Sequence, residues 1–212
     1  MRVPILTFAP PPANCKEHIR MTSPTTAPVA DDTFPPRFWA SQGGLIEAKP
    51  LGAVPASADQ VLDRLLIHEA FDRWAIAHDE NRVDILLSVL TDDVLLEYGV
   101  GSAVPDFTIS GKAQVQERLG SNIPHLTGQR RHCMTNVLIE SLSPPPSRAL
   151  AIAYGIVPRA ANGYVIQTSV IYRGELVKEA DGFWRFARLF IGCDSLAGGS
   201  GPALGESRPG NR

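Results

Sequence analysis

Asp79 and His132 are the two residues whose types best suit proton-transfer chemistry in this sequence. Asp79 ends a long amphipathic stretch that begins near residue 58, and His132 opens the strand-like run RHCMTNVLIE. An imidazole titrates close to neutral pH, and a carboxylate hydrogen-bonded to it can fix its tautomer and stabilise its protonated form. If the fold brings the two side chains together in a pocket, they can move a proton without a metal or a cofactor.

Both residues also have a simpler interpretation. Asp79 lies in the run Asp-Glu-Asn at 79–81 and could be a solvated helix end. An acid at a helix C-terminus is unfavourable with the helix dipole, so burying it there needs an offset, which a hydrogen-bonded His132 would supply. A lone histidine at the start of a strand is most often a surface residue or a core residue with its hydrogen bonds satisfied.

Tyr98 and Asn136 are the next candidates for contact with a substrate. Tyr98 lies in LLEYG, and its neighbour Glu97 should point to the opposite face of the strand. A phenol at Tyr98 could hold a carbonyl or leaving-group oxygen, with an ordinary buried aromatic as the alternative. Asn136 comes four residues after His132 and should share its strand face, where it could bind a substrate or satisfy a neighbouring group.

Two aromatic and two basic residues complete the set of candidates. Trp74 and Phe190 could form the wall of a pocket, and ordinary core packing is the alternative. Arg130 and Arg131 directly precede His132 and could bind an anion, but a solvated surface pair is the preferred interpretation.

The helix that carries Asp79 is predicted over residues 58–79. Its apolar residues nearly encircle it, which predicts a heavily buried helix. Two further helices are predicted at 83–90 and 111–119, and strands at 94–98, 107–110, 131–141, 148–158, 164–178 and 183–193. Turn signals at 144–146, 162–163 and 180–182 predict antiparallel hairpins between the last four strands. Three helices before a long antiparallel meander predict an α+β fold.

By composition, the chain divides into three parts. Residues 1–57 are rich in Pro, Ala, Thr and Ser and are interpreted as a mostly irregular arm, residues 58–195 as the domain and residues 196–212 as a disordered tail. Met21 is a plausible second start besides Met1. The arm carries five large apolar residues that predict docking, either as a lid over the pocket or as a strap on the outer sheet: Phe34, Phe38, Trp39, Leu45 and Ile46.

Charge and cysteine content argue against several classes of function. The net charge is −2 and no strongly basic patch is present, so nucleic acid is not an expected partner. The sequence has no apolar run of about 20 residues, so no membrane span is expected. The three cysteines show no metal-binding spacing and give no disulfide framework. We therefore expect a cytoplasmic protein without a metal or other cofactor.

The order of these elements resembles the SnoaL-like branch of the NTF2-like superfamily, over residues 58–195. The resemblance matches Asp79 and His132 to the aspartate and histidine of the hexachlorocyclohexane dehydrochlorinase and scytalone dehydratase types. It matches Tyr98 to a tyrosine of scytalone dehydratase that polarises the substrate carbonyl. His78 stands where that enzyme has a second tyrosine, and the second histidine of that enzyme has no identified counterpart in the strand RALAIAYGIV.

The resemblance implies a cone, in which a curved, mixed but mainly antiparallel sheet wraps around three N-terminal helices. It implies a cofactor-independent lyase, of the dehydratase or dehydrohalogenase type, acting on a small and largely apolar organic molecule. An isomerase or cyclase in small-molecule biosynthesis is the first alternative, and a non-catalytic binding or assembly module is the second. A homo-oligomer is expected, with a trimer slightly favoured over a dimer. The predicted catalytic residues are His132, Asp79 and Tyr98, and the predicted substrate contacts are Asn136, His78, Trp74 and Phe190.

Overall fold

A computed structural model describes residues 35–50, 58–126, 128–143, 147–161 and 163–195 of the chain. The helices are α1 (Trp39–Gln42), α2 (Val61–Asp79), α3 (Val83–Ser88) and α4 (Lys112–Asn122). The strands are β1 (Leu90–Val100), β2 (Phe107–Ser110), β3 (Gln129–Arg130), β4 (Cys133–Ser143), β5 (Arg148–Ala161), β6 (Gly163–Lys178) and β7 (Trp184–Cys193). The predictions for residues 1–34, for the turn at 144–146 and for the tail at 196–212 lie outside the described residues.

The strands form one seven-stranded sheet in the order β2-β1-β7-β6-β5-β3, and β4 also pairs with β5. β1 and β7 are parallel neighbours, whereas every other pair is antiparallel. β5, β6 and β7 follow one another as hairpins, as the turn signals predict. The sheet is therefore mixed but mainly antiparallel, and the predicted α+β class is confirmed.

One face of the sheet, here called the inner face, packs against the helices. Tyr98, Ile191, Tyr172 and Ala153 lie opposite one another on four adjacent strands, and so share this face. All four contribute to the main hydrophobic core together with Phe71 of α2. Burial of these apolar side chains is the main favourable contribution to the fold.

The prediction that the first helix is heavily buried is wrong. Only one side of α2 faces the sheet, where Phe71 and Trp74 are buried. Leu62 and Leu65 retain more than half of their accessible surface, at 63% and 62%. The helix thus has more apolar residues than its single contact with the sheet can bury.

The opposite face of the sheet, here called the outer face, carries the arm. Trp39, Leu45, Ile171 and Phe190 form a second, smaller apolar cluster there. The indole Nε1 of Trp39 donates to Asp194 Oδ1 at 2.7 Å, which fixes the ring. Of the five apolar arm residues, Ile46 packs against this cluster, Phe38 is exposed, and Phe34 lies outside the described ranges.

Candidate active site

The end of α2 places Asp79 at the site. The N–H of Arg82 donates to the carbonyl of Ala77 at 2.8 Å, and Asn81 adopts a left-handed conformation with φ of 52°. This is the hydrogen-bond pattern of a Schellman termination, in which asparagine takes the position that glycine most often fills. The helix therefore stops directly after Asp79, and the carboxylate lies in its last turn.

A gap between two strands places His132. β3 ends at Arg130 and β4 begins at Cys133, so the strand predicted at 131–141 begins two residues later and leaves the histidine outside it. The backbone N–H of His132 donates to Asp79 Oδ2 at 2.7 Å instead of joining the sheet ladder. The ring Nδ1 lies 2.5 Å from Asp79 Oδ1. One carboxylate thus holds both the backbone and the ring of the histidine.

The contact leaves a defined nitrogen for chemistry. Because Nδ1 is engaged by Asp79, Nε2 is the ring nitrogen of His132 that remains for a reacting group. Both side chains are well shielded, with 11% of the His132 side chain and 6% of the Asp79 side chain exposed. Short charge-assisted hydrogen bonds of this kind are stronger where water is excluded.

His78 packs against the same pair. Its ring meets the His132 ring edge to face, with 4.7 Å between ring centroids. Burial, followed by the positive charge that His132 can carry, lowers the pKa of His78 to about 3, although Asp79 opposes this shift. His78 is therefore neutral at physiological pH and can act only as a neutral hydrogen-bonding group.

A cleft of about 390 Å³ opens beside these residues. Its wall combines the end of α2, the segment after α4 and strand β3. Both polar and apolar groups line it, whereas the substrate that the resemblance implies is largely apolar. The lining residues are His78, Asp79, Asn81, Ile123, Pro124, Leu126, Gly128, Gln129 and Arg130.

Tyr98 lies on the inner face, and its neighbour Glu97 lies on the outer face, where it is paired with Arg188. The Tyr98 ring stacks on Phe107 at a centroid distance of 4.6 Å. Burial, followed by the nearby Cys193, raises the pKa of Tyr98, so its phenol stays protonated and can only donate or accept a neutral hydrogen bond. Within the described part of the chain, it makes no hydrogen bond to Asp79 or His132.

Tyr172 is an inner-face residue that the sequence analysis did not single out. It is 2% exposed and its ring lies against Gly155 of β5, where an added Cβ would meet the ring at 2.8 Å and the sulfur of Met134 at 3.6 Å. Burial, Cys193, Tyr98 and Asp79 all raise its pKa, in that order. The alternation of Val170 and Tyr172 along β6 was the available signal, because it places both on one face.

Three predicted substrate contacts are not brought to the cleft. Asn136 is exposed at a β-bulge with φ of 52°, because β4 shifts register between Thr135 and Leu138. The bulge adds a residue and breaks the alternation on which its predicted position depended. Trp74 is packed in the main core, and Phe190 lies in the outer cluster with Trp39. The predicted pocket-wall role of Phe190 is therefore wrong.

His78, Asp79 and His132 are also the described residues best placed to hold a metal ion, since their ligand atoms lie within 4.8 Å of one another. Both oxygens of Asp79, however, already accept hydrogen bonds from His132. A metal ion on Asp79 would have to displace at least one of these contacts. The geometry therefore favours a carboxylate–imidazole pair.

The two arginines before His132 have different environments. Arg131 is exposed and paired with Glu80, as a solvated residue should be. Arg130 is partly buried, lines the cleft and donates from Nε to Gln167 Oε1 at 2.8 Å. The predicted solvated pair is thus wrong for Arg130.

Comparison with known proteins gives a consistent match. A sequence profile of the SnoaL-like domain matches residues 59–189. A variant of a Mycobacterium tuberculosis protein of unknown function is 24% identical over 69% of this chain and 80% of its own, with a TM-score of 0.56. A candidate scytalone dehydratase from Novosphingobium aromaticivorans is 16% identical over 67% of this chain and 97% of its own, with a TM-score of 0.54.

An NTF2-like protein with a cystatin-like fold, also from Novosphingobium aromaticivorans, is 19% identical over 67% of this chain and 86% of its own, with a TM-score of 0.51. The comparison with curated proteins gave no match. None of the helices in the described ranges has the length and apolar character needed to span a bilayer. The structural matches confirm the predicted NTF2-like cone.

Proposed function

The chain belongs to the SnoaL-like domain family, and on this premise we propose that it is a cofactor-independent lyase acting on a small organic molecule. His132 is the general base, which removes a proton from a carbon next to an activating group. Asp79 is the positioning residue, which holds the ring and stabilises its protonated form. The 2.5 Å contact between His132 Nδ1 and Asp79 Oδ1 is the observation that carries this proposal.

The cleft supports an enzyme over a scaffold. A cone used only for assembly needs neither an open cleft nor a shielded imidazole–carboxylate pair. Here a cleft of about 390 Å³, a size that suits small ligands, has Asp79 in its wall. His78 lies in the same wall as a neutral group and can hydrogen-bond a substrate oxygen.

Elimination, isomerisation and cyclisation can all begin with the removal of a proton from carbon. We favour elimination, of water or of a halide, because Asp79, His132 and Tyr98 resemble residues of the dehydratase and dehydrochlorinase types in the sequence. In this proposal Tyr98, from the inner face, donates a hydrogen bond to the carbonyl or leaving-group oxygen. We also propose that the protein acts in the cytoplasm.

Exchange of substrate C–H for deuterium tests the first step directly. Purified protein is incubated in D₂O with a panel of β-hydroxy and β-halo carbonyl compounds. NMR follows the incorporation of deuterium into the substrate, and ultraviolet absorbance reports the formation of new double bonds. His132→Ala should slow both signals by roughly 10²–10⁴-fold, the usual contribution of a general base. Asp79→Asn should slow them strongly too, because the amide NH₂ would face a His132 donor.

His68→Ala is the matched control, since His68 is an exposed histidine on the same helix. It should keep the wild-type rates. Circular dichroism establishes that each variant is folded. If folded His132→Ala and Asp79→Asn proteins exchange at the wild-type rate, the proposed dyad is wrong.

A further inference from the structure

Two arginines stand side by side on neighbouring strands, and one of them lines the cleft. Arg130 of β3 and Arg159 of β5 are direct cross-strand partners, so their side chains project from the same face of the sheet. Arg130 lines the cleft with His78 and Asp79. Like charges placed directly opposite each other on a sheet destabilise it, so this pairing calls for a compensating anion.

No protein group in the described ranges supplies that anion. Arg130 donates from Nε to the neutral amide oxygen of Gln167, at 2.8 Å. The guanidinium of Arg159 has even less compensation for its charge, because its Nε is buried without a hydrogen-bond partner. Neither guanidinium forms a salt bridge to a carboxylate in the part of the chain that the structure describes. A buried donor that remains unpaired costs free energy.

Asp79 does not neutralise the pair. Its charge acts on Arg130 at a distance, but both of its oxygens are occupied by His132. Burial and then the charge of Arg159 lower the pKa of Arg130, and Asp79 only partly opposes this. An excess positive potential is therefore left next to the imidazole–carboxylate pair.

We propose that Arg130 and Arg159 bind an anionic group of the substrate, a carboxylate, at the edge of the cleft beside His132 and Asp79. Guanidinium groups present parallel N–H donors that match the two oxygens of a carboxylate, and the buried Nε of Arg159 would gain an acceptor. The inference rests on the proposed function and refines it, since the substrate is then a small organic acid. It replaces the largely apolar substrate that the resemblance implies.

Benzoate and benzamide form a suitable pair of probes, because they have nearly the same shape but only benzoate carries a charge. Binding to the full-length protein is measured by NMR titration at neutral pH and low chloride. Benzoate should bind saturably and benzamide far more weakly. Arg159→Gln and Arg130→Gln should each weaken benzoate binding by about 10- to 100-fold, the loss expected for charge-assisted hydrogen bonds.

Arg118→Gln is the control, since Arg118 is an exposed arginine on α4. It should bind benzoate as the wild type does. Thermal denaturation separates binding from folding. Without benzoate, Arg159→Gln should melt at the wild-type temperature or above, because a like-charge contact is removed. If one of the two variants fails to fold, the other still tests the assignment, and competition by chloride against benzoate on the wild type tests whether the site binds anions.

The proposal is overturned if benzamide binds as well as benzoate, if wild type binds neither, or if both arginine variants bind benzoate at full strength. Its failure is distinguishable from failure of the proposed function. His132→Ala should retain benzoate binding while losing proton exchange. Arginine-dependent binding without exchange would reject only the lyase, whereas His132-dependent exchange that is indifferent to both arginine variants would reject only the anion site.

Discussion

Two distant carboxylates, one on each side of the sheet, each accept a backbone N–H from a remote segment, but they serve different roles. At the inner site, Asp79 accepts the backbone N–H of His132 at 2.7 Å. On the outer face, Glu140 accepts the backbone N–H of Glu47 at 2.6 Å. Each carboxylate thus ties a remote segment to a strand or helix. The difference lies in the second oxygen.

The second oxygen of Asp79 meets the ring of His132, whereas Oε2 of Glu140 is buried without a partner. Burial raises the pKa of Glu140, and the hydrogen bond from the Glu47 N–H and then the charge of Arg173 only partly offset this. The inner carboxylate is therefore fully used and lies beside an open cleft, while the outer one is a structural anchor under the arm. A buried carboxylate is a functional candidate only when its partner can do chemistry.

The arm belongs to the outer side of this comparison. Arg173 donates to the carbonyl of Gly44 and to the carboxylate of Glu47, both at 2.5 Å, and so fixes the arm beyond its Trp39 anchor. Residues 35–50 are absent from the cleft lining. Of the two predicted roles for the arm, the described segment fits the strap and not the lid.

The largest effect should come from removing the arm's anchor. Trp39→Ala deletes a side chain that is 9% exposed and a hydrogen bond to Asp194, so it should destabilise the docked arm by about 3–5 kcal/mol. Hydrogen exchange should then show faster exchange at the Glu47 N–H. Trp39→Phe should lose less, because the ring remains. Reduced proton-exchange activity in Trp39→Ala would contradict the strap and favour the predicted role of the arm as a lid.

A smaller effect is expected from His78 on the inner side. Its folded pKa of about 3 lies below the ordinary histidine pKa of 6.5, so between these limits the unfolded chain binds a proton that the folded protein does not. Folding stability should therefore fall as pH falls from about 6.5 towards 3, by up to about 1.4 kcal/mol per pH unit from this group. His78→Phe should remove that contribution.

Urea denaturation at several pH values measures this dependence. His68→Gln, at an exposed position on the same helix, is the control and should leave the slope unchanged. Identical slopes for wild type and His78→Phe would mean that His78 is accessible to protons in the folded protein, and would weaken the description of the inner site as shielded.

These contrasts also show what sequence could and could not predict. The approach of Asp79 and His132 was expected from the resemblance, which matches them to a paired aspartate and histidine, and the sequence pattern alone located only the helix end and the strand start. The positions of Asn136 and Phe190 were not. A bulge at Asn136 cannot be read from alternation alone, and the arm that covers Phe190 contacts it from more than a hundred residues away in sequence. The partial burial of Arg130 was missed because it depends on strands distant in sequence, β5 with Arg159 and β6 with Gln167.

The predicted homo-oligomer stays a prediction, and the outer face offers a surface for it. Leu138, Tyr154 and Ile156 lie beyond the arm on β4 and β5 and are 45%, 42% and 46% exposed. The strand register places all three side chains on the outer face, where Tyr154 lies opposite Ile171. Apolar side chains grouped in this way are typical of an interaction surface. The choice between trimer and dimer is not decided by these residues.

The smallest effect should come from Glu140→Gln. The amide keeps one oxygen for the Glu47 N–H and removes the need to bury a charge, although it also loses an attraction to Arg173. Because the folded pKa is raised, the wild-type carboxyl is most favourable when protonated, and its contribution is lost as pH rises through that pKa. Glu140→Gln should therefore be more stable than wild type by up to about 1 kcal/mol at pH 7, with the gain vanishing at pH 4. Urea denaturation at both pH values measures this, with Glu117→Gln, at an exposed site on α4, as the control.

Asp79→Asn should instead lower stability at pH 7. If both amide variants shift stability in the same direction, the two carboxylates are not used differently, and the comparison between the two faces fails.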